Sequence, residues 1–118
     1  MLADPRVLLS DIDQAGADIE QFIEGMDRGA YAGDALTQAA VERKFEIIGE
    51  ALNRLQKIRP DLAERIPRHR RIVDFRNLLI HGYASVMPER VWDNAENHLP
   101  ELRRIVQALL VDLGPPDE

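Results

Sequence analysis

The residues of this chain with the most chemical capacity lie together in one octapeptide, Arg76-Asn77-Leu78-Leu79-Ile80-His81-Gly82-Tyr83. Histidine moves protons at neutral pH, and arginine stays charged while it grips a phosphate. Arg76 and His81 bring these two abilities within one short stretch. On an uninterrupted helix a five-residue step turns through about 140°, so the pair would not share a face; a helix that stops at Gly82 relaxes this constraint. The two side chains could then address one phosphate. Each also has a plain reading: His81 as a polar residue at a helix end, Arg76 as the ion-pair partner of Asp74 or Glu50, Tyr83 as a ring over the core. Asn53, Glu46 and Glu50 could face the motif from across the bundle, with a solvated or dipole-balancing role as the default for each.

Elimination narrows the chemistry. There is no Cys, hence no thiolate nucleophile, disulfide framework or Cys-based zinc site. Gly-rich phosphate loops, His-Glu-x-x-His pairs and Gly-x-Ser-x-Gly elbows are all missing. The three histidines, His69, His81 and His98, are too scattered in sequence to suggest a metal cage. The expectation is acid/base chemistry that needs no metal and no cofactor.

A formal net charge of −6 argues against a general nucleic-acid coat, whose phosphate contacts need a basic surface. That average hides a local reversal: Arg65 to Arg76 holds five Arg and one Asp. Arg68, Arg70 and Arg71 are therefore the candidate RNA-binding residues, against the alternative of a solvated helix face. His69, beside them, reads as a surface residue.

Helices must position these groups. Leu8, Ile12, Ala15, Ile19, Phe22 and Met26 form one stripe, predicting a first helix over about 5–27 with Asp4 as cap and Pro5 in the first turn. Residues 27–33 read as a loop. Asp34 caps a second helix over about 35–58 with two apolar seams, Val41, Phe45, Ile48, Leu52, Leu55 and beside them Ala40, Ile47, Ala51, Ile58. After the Pro60–Pro67 connector, a third helix runs from Arg68 or His69 to His81, ended by Gly82 as a left-handed residue. The last helix opens near Pro88 and carries Trp92, Ala95, Leu99, Leu102, Val106, Leu109 and Leu113, with Pro100 interrupting its ladder.

Four stripes, short connectors and no period-two segment predict a single all-α domain over residues 1–118, built as a four-helix bundle. The surplus seam on the second helix predicts a symmetric homodimer. The lack of any apolar stretch near the ~20 residues of a membrane span, with the absence of Cys, places the chain in the cytoplasm.

Arg76-x4-His81-x-Tyr83 resembles the Arg-x4-His-x-Tyr signature of HepT-like proteins, the toxin branch of the HEPN superfamily of helical ribonucleases. Phe45-Glu46-Ile47-Ile48-Gly49-Glu50-Ala51-Leu52, Val91-Trp92 and Leu99-Pro100 look like that family as well, so the similarity runs along nearly the whole chain. The resemblance implies a HEPN-type homodimer whose two motifs meet in one cleft and cut RNA without a metal. Arg76 and His81 are then the catalytic residues and Asn77 a supporting contact. It further implies a type VII toxin–antitoxin pair, in which a nucleotidyltransferase antitoxin silences the toxin by attaching AMP to the tyrosine at position 83. The competing reading is a non-catalytic helical module that binds a nucleotidyltransferase or a nucleotide; retention of both Arg76 and His81 favours the enzyme.

Overall fold

The computed structural model describes residues 4–82 and 86–115, and every regular element among them is helical. Four longer helices carry the fold: α1 (Pro5–Phe22), α3 (Ala35–Ile58), α5 (His69–His81) and α7 (Leu99–Leu113). Three short ones accompany them: α2 (Arg28–Ala32), α4 (Pro60–Glu64) and α6 (Pro88–Asp93).

The boundaries follow local chemistry. Asp4 accepts from the Arg6 amide at 2.9 Å with Pro5 opening α1, as the sequence predicts. That helix ends at Phe22 rather than running on to residue 27, because the chain turns through Gly25 at φ +79°, a left-handed conformation suited to glycine. The 27–33 segment is not a plain loop: Asp27 accepts from the Ala30 amide at 2.8 Å and nucleates α2. Asp34 caps α3 by accepting from the Thr37 amide at 3.0 Å and hydroxyl at 2.8 Å. Pro60 stops α3 and, having no amide to satisfy, opens α4.

Two features depart from expectation. Gly82 ends α5 at φ −114°, not left-handed, through a single bond from its amide to the Leu78 carbonyl at 2.7 Å. A Cβ there would lie 2.8 Å from Leu78 Cδ1 and 3.1 Å from the Leu78 carbonyl oxygen, a tight fit that a turn of the leucine side chain relieves in part. The last helix is divided: between α6 and α7, Asn94–His98 forms a π-helical turn in which the Leu99 amide bonds to the Asn94 carbonyl. Pro100 explains it. In a regular helix its ring would meet the Glu96 carbonyl, and the wider turn avoids that clash.

α3 is the central element, packed against α1 on one side and α5 on the other, and α7 packs on α1. Val41, Ile48, Leu52 and Leu55 of α3 meet Leu9, Ile12 and Ile19 of α1 with no exposed surface. Phe45 and Phe75 join α3 to α5 edge to face at 5.4 Å, and Tyr31 of α2 lies 5.5 Å from Trp92 of α6. The second seam of α3 is largely used within the chain: Ala51 is buried, and Ile47 and Ile58 pack partly buried against the core. α5 and α7 do not close along each other as the other neighbours do, so the fourth side of the bundle is left as a cleft.

Candidate active site

Arg76 enters the fold against α3 at one narrow point. A Cβ at position 49 would overlap the Arg76 Cβ and lie 2.7 Å from its Cγ, so only a glycine lets the arginine stem pass. The guanidinium is then held at both tips: Nη2 donates to Glu50 Oε2 at 2.6 Å and Nη1 to Asn77 Oδ1 at 2.8 Å. Nε is buried and meets no acceptor among the described residues. Of the two ion-pair partners open to Arg76 in the sequence, the structure selects Glu50 rather than Asp74. With the glutamate side chain half exposed, the pair adds little stability, about 0–1 kcal/mol, and chiefly sets direction.

His81, the last residue of α5, is exposed. It shares a stripe with Arg70, Asp74 and Asn77 at helical spacing, all of them exposed. Arg76 faces elsewhere, into a shallow groove of about 360 Å³ between α1, α3 and α5 that also carries Arg43, Glu46, Arg54 and Ile80. His81 does not line that groove. Asn77 joins the two faces: it stands on the histidine stripe while its amide oxygen accepts from Arg76. The unbroken course of α5 to His81 is why the two side chains diverge within one copy.

The basic segment divides as well. Arg68, Arg70 and Arg71 are all exposed, but Arg70 lies on the His81 stripe while Arg68 and Arg71 border the cleft between α5 and α7. His69 is not on the surface. It is 7% exposed, with Nδ1 3.3 Å from the Ile66 carbonyl oxygen and Nε2 3.9 Å from Glu64. The turn before it, with Arg68 at φ +63°, sets this inward start of α5. Asn53 accepts from Gln56, while Glu46 lies 3.6 Å from Arg43 and lines the same groove as Arg76. Tyr83 lies outside the described residues. The sequence reading missed the role of Gly49; its signal was a lone glycine inside a strong helical pattern.

Among the described residues no three His, Asp or Glu side chains gather as a metal site, and no helix is long and apolar enough to cross a membrane.

The family profile described as Ribonuclease HepT-like matches residues 12–109. A "Putative RNase" of Methanocaldococcus jannaschii is 29% identical over 117 residues, covering 98% of this chain and 94% of that protein. Another protein of that name from the same organism is 31% identical over 117 residues with the same coverage. A "Probable ribonuclease HepT" of Thermococcus cleftensis is 34% identical over 95 residues, covering 80% of this chain and 86% of its own. No solved structure matches. With an all-α architecture, Arg76 and His81 of its Arg-x4-His-x-Tyr motif on α5 and a profile match over most of its length, the chain belongs to the ribonuclease HepT-like family of HEPN domains.

Proposed function

We propose that this protein is a metal-independent endoribonuclease toxin of the cytoplasm that acts as a homodimer, with Arg76 and His81 as its catalytic residues. The observation that carries this reading is the handling of Arg76: a guanidinium fixed by Glu50 and Asn77, on the same helix as an exposed histidine five residues on. The ribose 2′-hydroxyl attacks the adjacent phosphorus, and the bond to the 5′-oxygen of the next nucleotide breaks. One His81 takes the hydroxyl proton and the other protonates the leaving oxygen, while Arg76 offsets the charge gathering on the phosphoryl oxygens. A second copy supplies what one lacks, since Arg76 and His81 of a single chain point apart. Arg70 on the His81 stripe is the RNA contact nearest this chemistry, with Arg68 and Arg71 farther along α5.

Regulation follows the same reading: a nucleotidyltransferase antitoxin of a type VII pair transfers AMP to Tyr83. The chain has two tyrosines, and Tyr31 is 1% exposed with its hydroxyl in the interior, so in the folded protein the acceptor is Tyr83. A phosphate two residues from His81 would put negative charge where the RNA backbone must lie.

The test is cleavage of RNA by purified protein. Activity should persist in EDTA, leave 2′,3′-cyclic phosphate ends, and fall ~10²- to 10⁴-fold in His81→Ala and Arg76→Ala with unchanged helical circular dichroism. Light scattering should report twice 13.4 kDa. Co-expression with the cognate nucleotidyltransferase should add AMP to wild type and none to Tyr83→Phe. Full activity in either alanine variant, or an active monomer, overturns the assigned roles.

A further inference from the structure

The cleft between α5 and α7 is separate from the groove that holds Arg76, and three unusual features meet there. Arg68, the one non-glycine residue with positive φ among those described, stands at its edge with φ +63°. The π-helical turn Asn94–His98 forms part of its opposite wall. Such turns and such backbone outliers gather at functional sites. Third, Arg71 and Arg90 line the cleft with guanidinium groups that make no hydrogen bond or ion pair with any described residue, in a chain whose net charge is −6.

The lining has two zones. The floor is apolar, built from Phe45 and Phe75 with Leu99, Leu102 and Ile105. The rim mixes charge: beside Arg71 and Arg90 stand Asp93, Asn94 and Glu101. His98 sits between, its Nδ1 3.3 Å from Arg68 Nη1 and its Nε2 3.7 Å from Asp93 Oδ2. Since the guanidinium can only donate, Nδ1 accepts and the ring proton faces Asp93.

A bare anion would gain nothing from the floor and would meet two carboxylates. An aliphatic chain would leave the rim unused. A nucleobase satisfies both zones: a planar apolar body for the floor, edge donors for Asp93 and Glu101, edge acceptors for Asn94, and a phosphate for the free arginines. The volume, about 270 Å³, lies just under the roughly 300–1,000 Å³ of typical ligand pockets, which suits a single nucleotide unit. We infer that this cleft binds a single nucleotide unit, base inward and phosphate on Arg71 and Arg90. Its source, as a base splayed from the RNA substrate, rests on the ribonuclease reading; nucleotide binding by the cleft does not.

The experiment is an NMR titration of the full-length His81→Ala protein, which keeps RNA intact, with methyl groups of Leu99, Leu102 and Ile105 as reporters. Four probes are added: a short single-stranded RNA, the same RNA with one abasic position, the four nucleoside monophosphates, and inorganic phosphate. RNA or mononucleotides should shift the floor methyls, and phosphate should not. Binding by RNA with no response to mononucleotides assigns the strand as source; equal response assigns the free nucleotide. Arg71→Glu combined with Arg90→Glu should weaken that binding at least tenfold, and Ile105→Phe, which fills the floor without touching the arginines, should do the same. Floor methyls that stay still while residues around Arg76 and position 81 respond to RNA overturn the cleft and leave the ribonuclease reading intact. A responding cleft in a protein that cuts no RNA does the reverse.

Discussion

Arg76 Nη2 donates to Glu50 Oε2 across 2.6 Å, so a carboxylate on α3 sets the direction of the arginine on α5. If that direction matters to phosphate binding, Glu50→Ala should lower RNA cleavage by roughly tenfold, or about 1.4 kcal/mol of transition-state stabilisation. Glu50→Gln, which still offers an acceptor, should keep most of the activity. Thermal unfolding should barely move in either, because a half-exposed pair contributes little. Unchanged kinetics in Glu50→Ala would free Arg76 from this partner.

Gly49 is the contact that no other residue can make. Gly49→Ala places a methyl on the Arg76 stem, and either α3 and α5 separate or the arginine moves. A cost of about 1–3 kcal/mol is expected from such overpacking, read as a lower denaturant midpoint with unchanged slope. Activity should fall further than stability alone explains, and a variant with wild-type midpoint and rate would contradict the close approach.

Tyr31 is enclosed between α2, α3 and α6, and its hydroxyl finds no partner among the described residues; burial and the nearby Glu42 raise its pKa far above the usual tyrosine value. Tyr31→Phe removes an unpaired polar atom while keeping the ring against Trp92. Stability should hold or rise by about 1 kcal/mol. Tyr31→Ala, by contrast, should cost about 3–5 kcal/mol, as other large aromatic truncations do.

Glu42 carries a carboxyl raised above its ordinary pKa, first by burial and then by repulsion from Glu46. A raised carboxyl pKa means the folded state prefers the protonated form. Ionisation at neutral pH therefore works against folding, and this penalty disappears as pH falls below the unfolded value, about 4.3. Glu42→Gln should accordingly be more stable than wild type at pH 7, with the gap closing below that value. Urea unfolding at both pH values gives the comparison; a constant gap would assign the effect to packing instead.

Periodicity made the four long helices legible, since Asp4, Pro5, Asp34 and Pro60 are local signals acting where they stand in the chain. α2 escaped because its cap, Asp27, sits in a stretch whose glycines read as loop. His69 was misplaced for a related reason: its burial depends on the left-handed turn at Arg68, a conformation that no arginine advertises. For the site, residue types and spacing pointed to Arg76 and His81, but not to the faces they occupy. Glu50 was one of two candidates for the ion pair until the helices were docked, because the choice between it and Asp74 is tertiary.

The π-helical turn before Pro100 has a consequence for the length of the chain. Such a turn holds one residue more than the α-helical path between the same two anchors, here Ala95 and Leu99, both buried. Replacing Pro100 by alanine restores the missing donor but leaves the surplus residue in place, so Pro100→Ala alone should not straighten the helix. Removing one of the exposed residues Glu96 or Asn97 together with that replacement should, and the stripe from Leu102 to Leu109 would stay in register. This segment is thus the point in the last helix where a single-residue deletion can be absorbed, while the same deletion within α7 would turn every later core residue toward solvent.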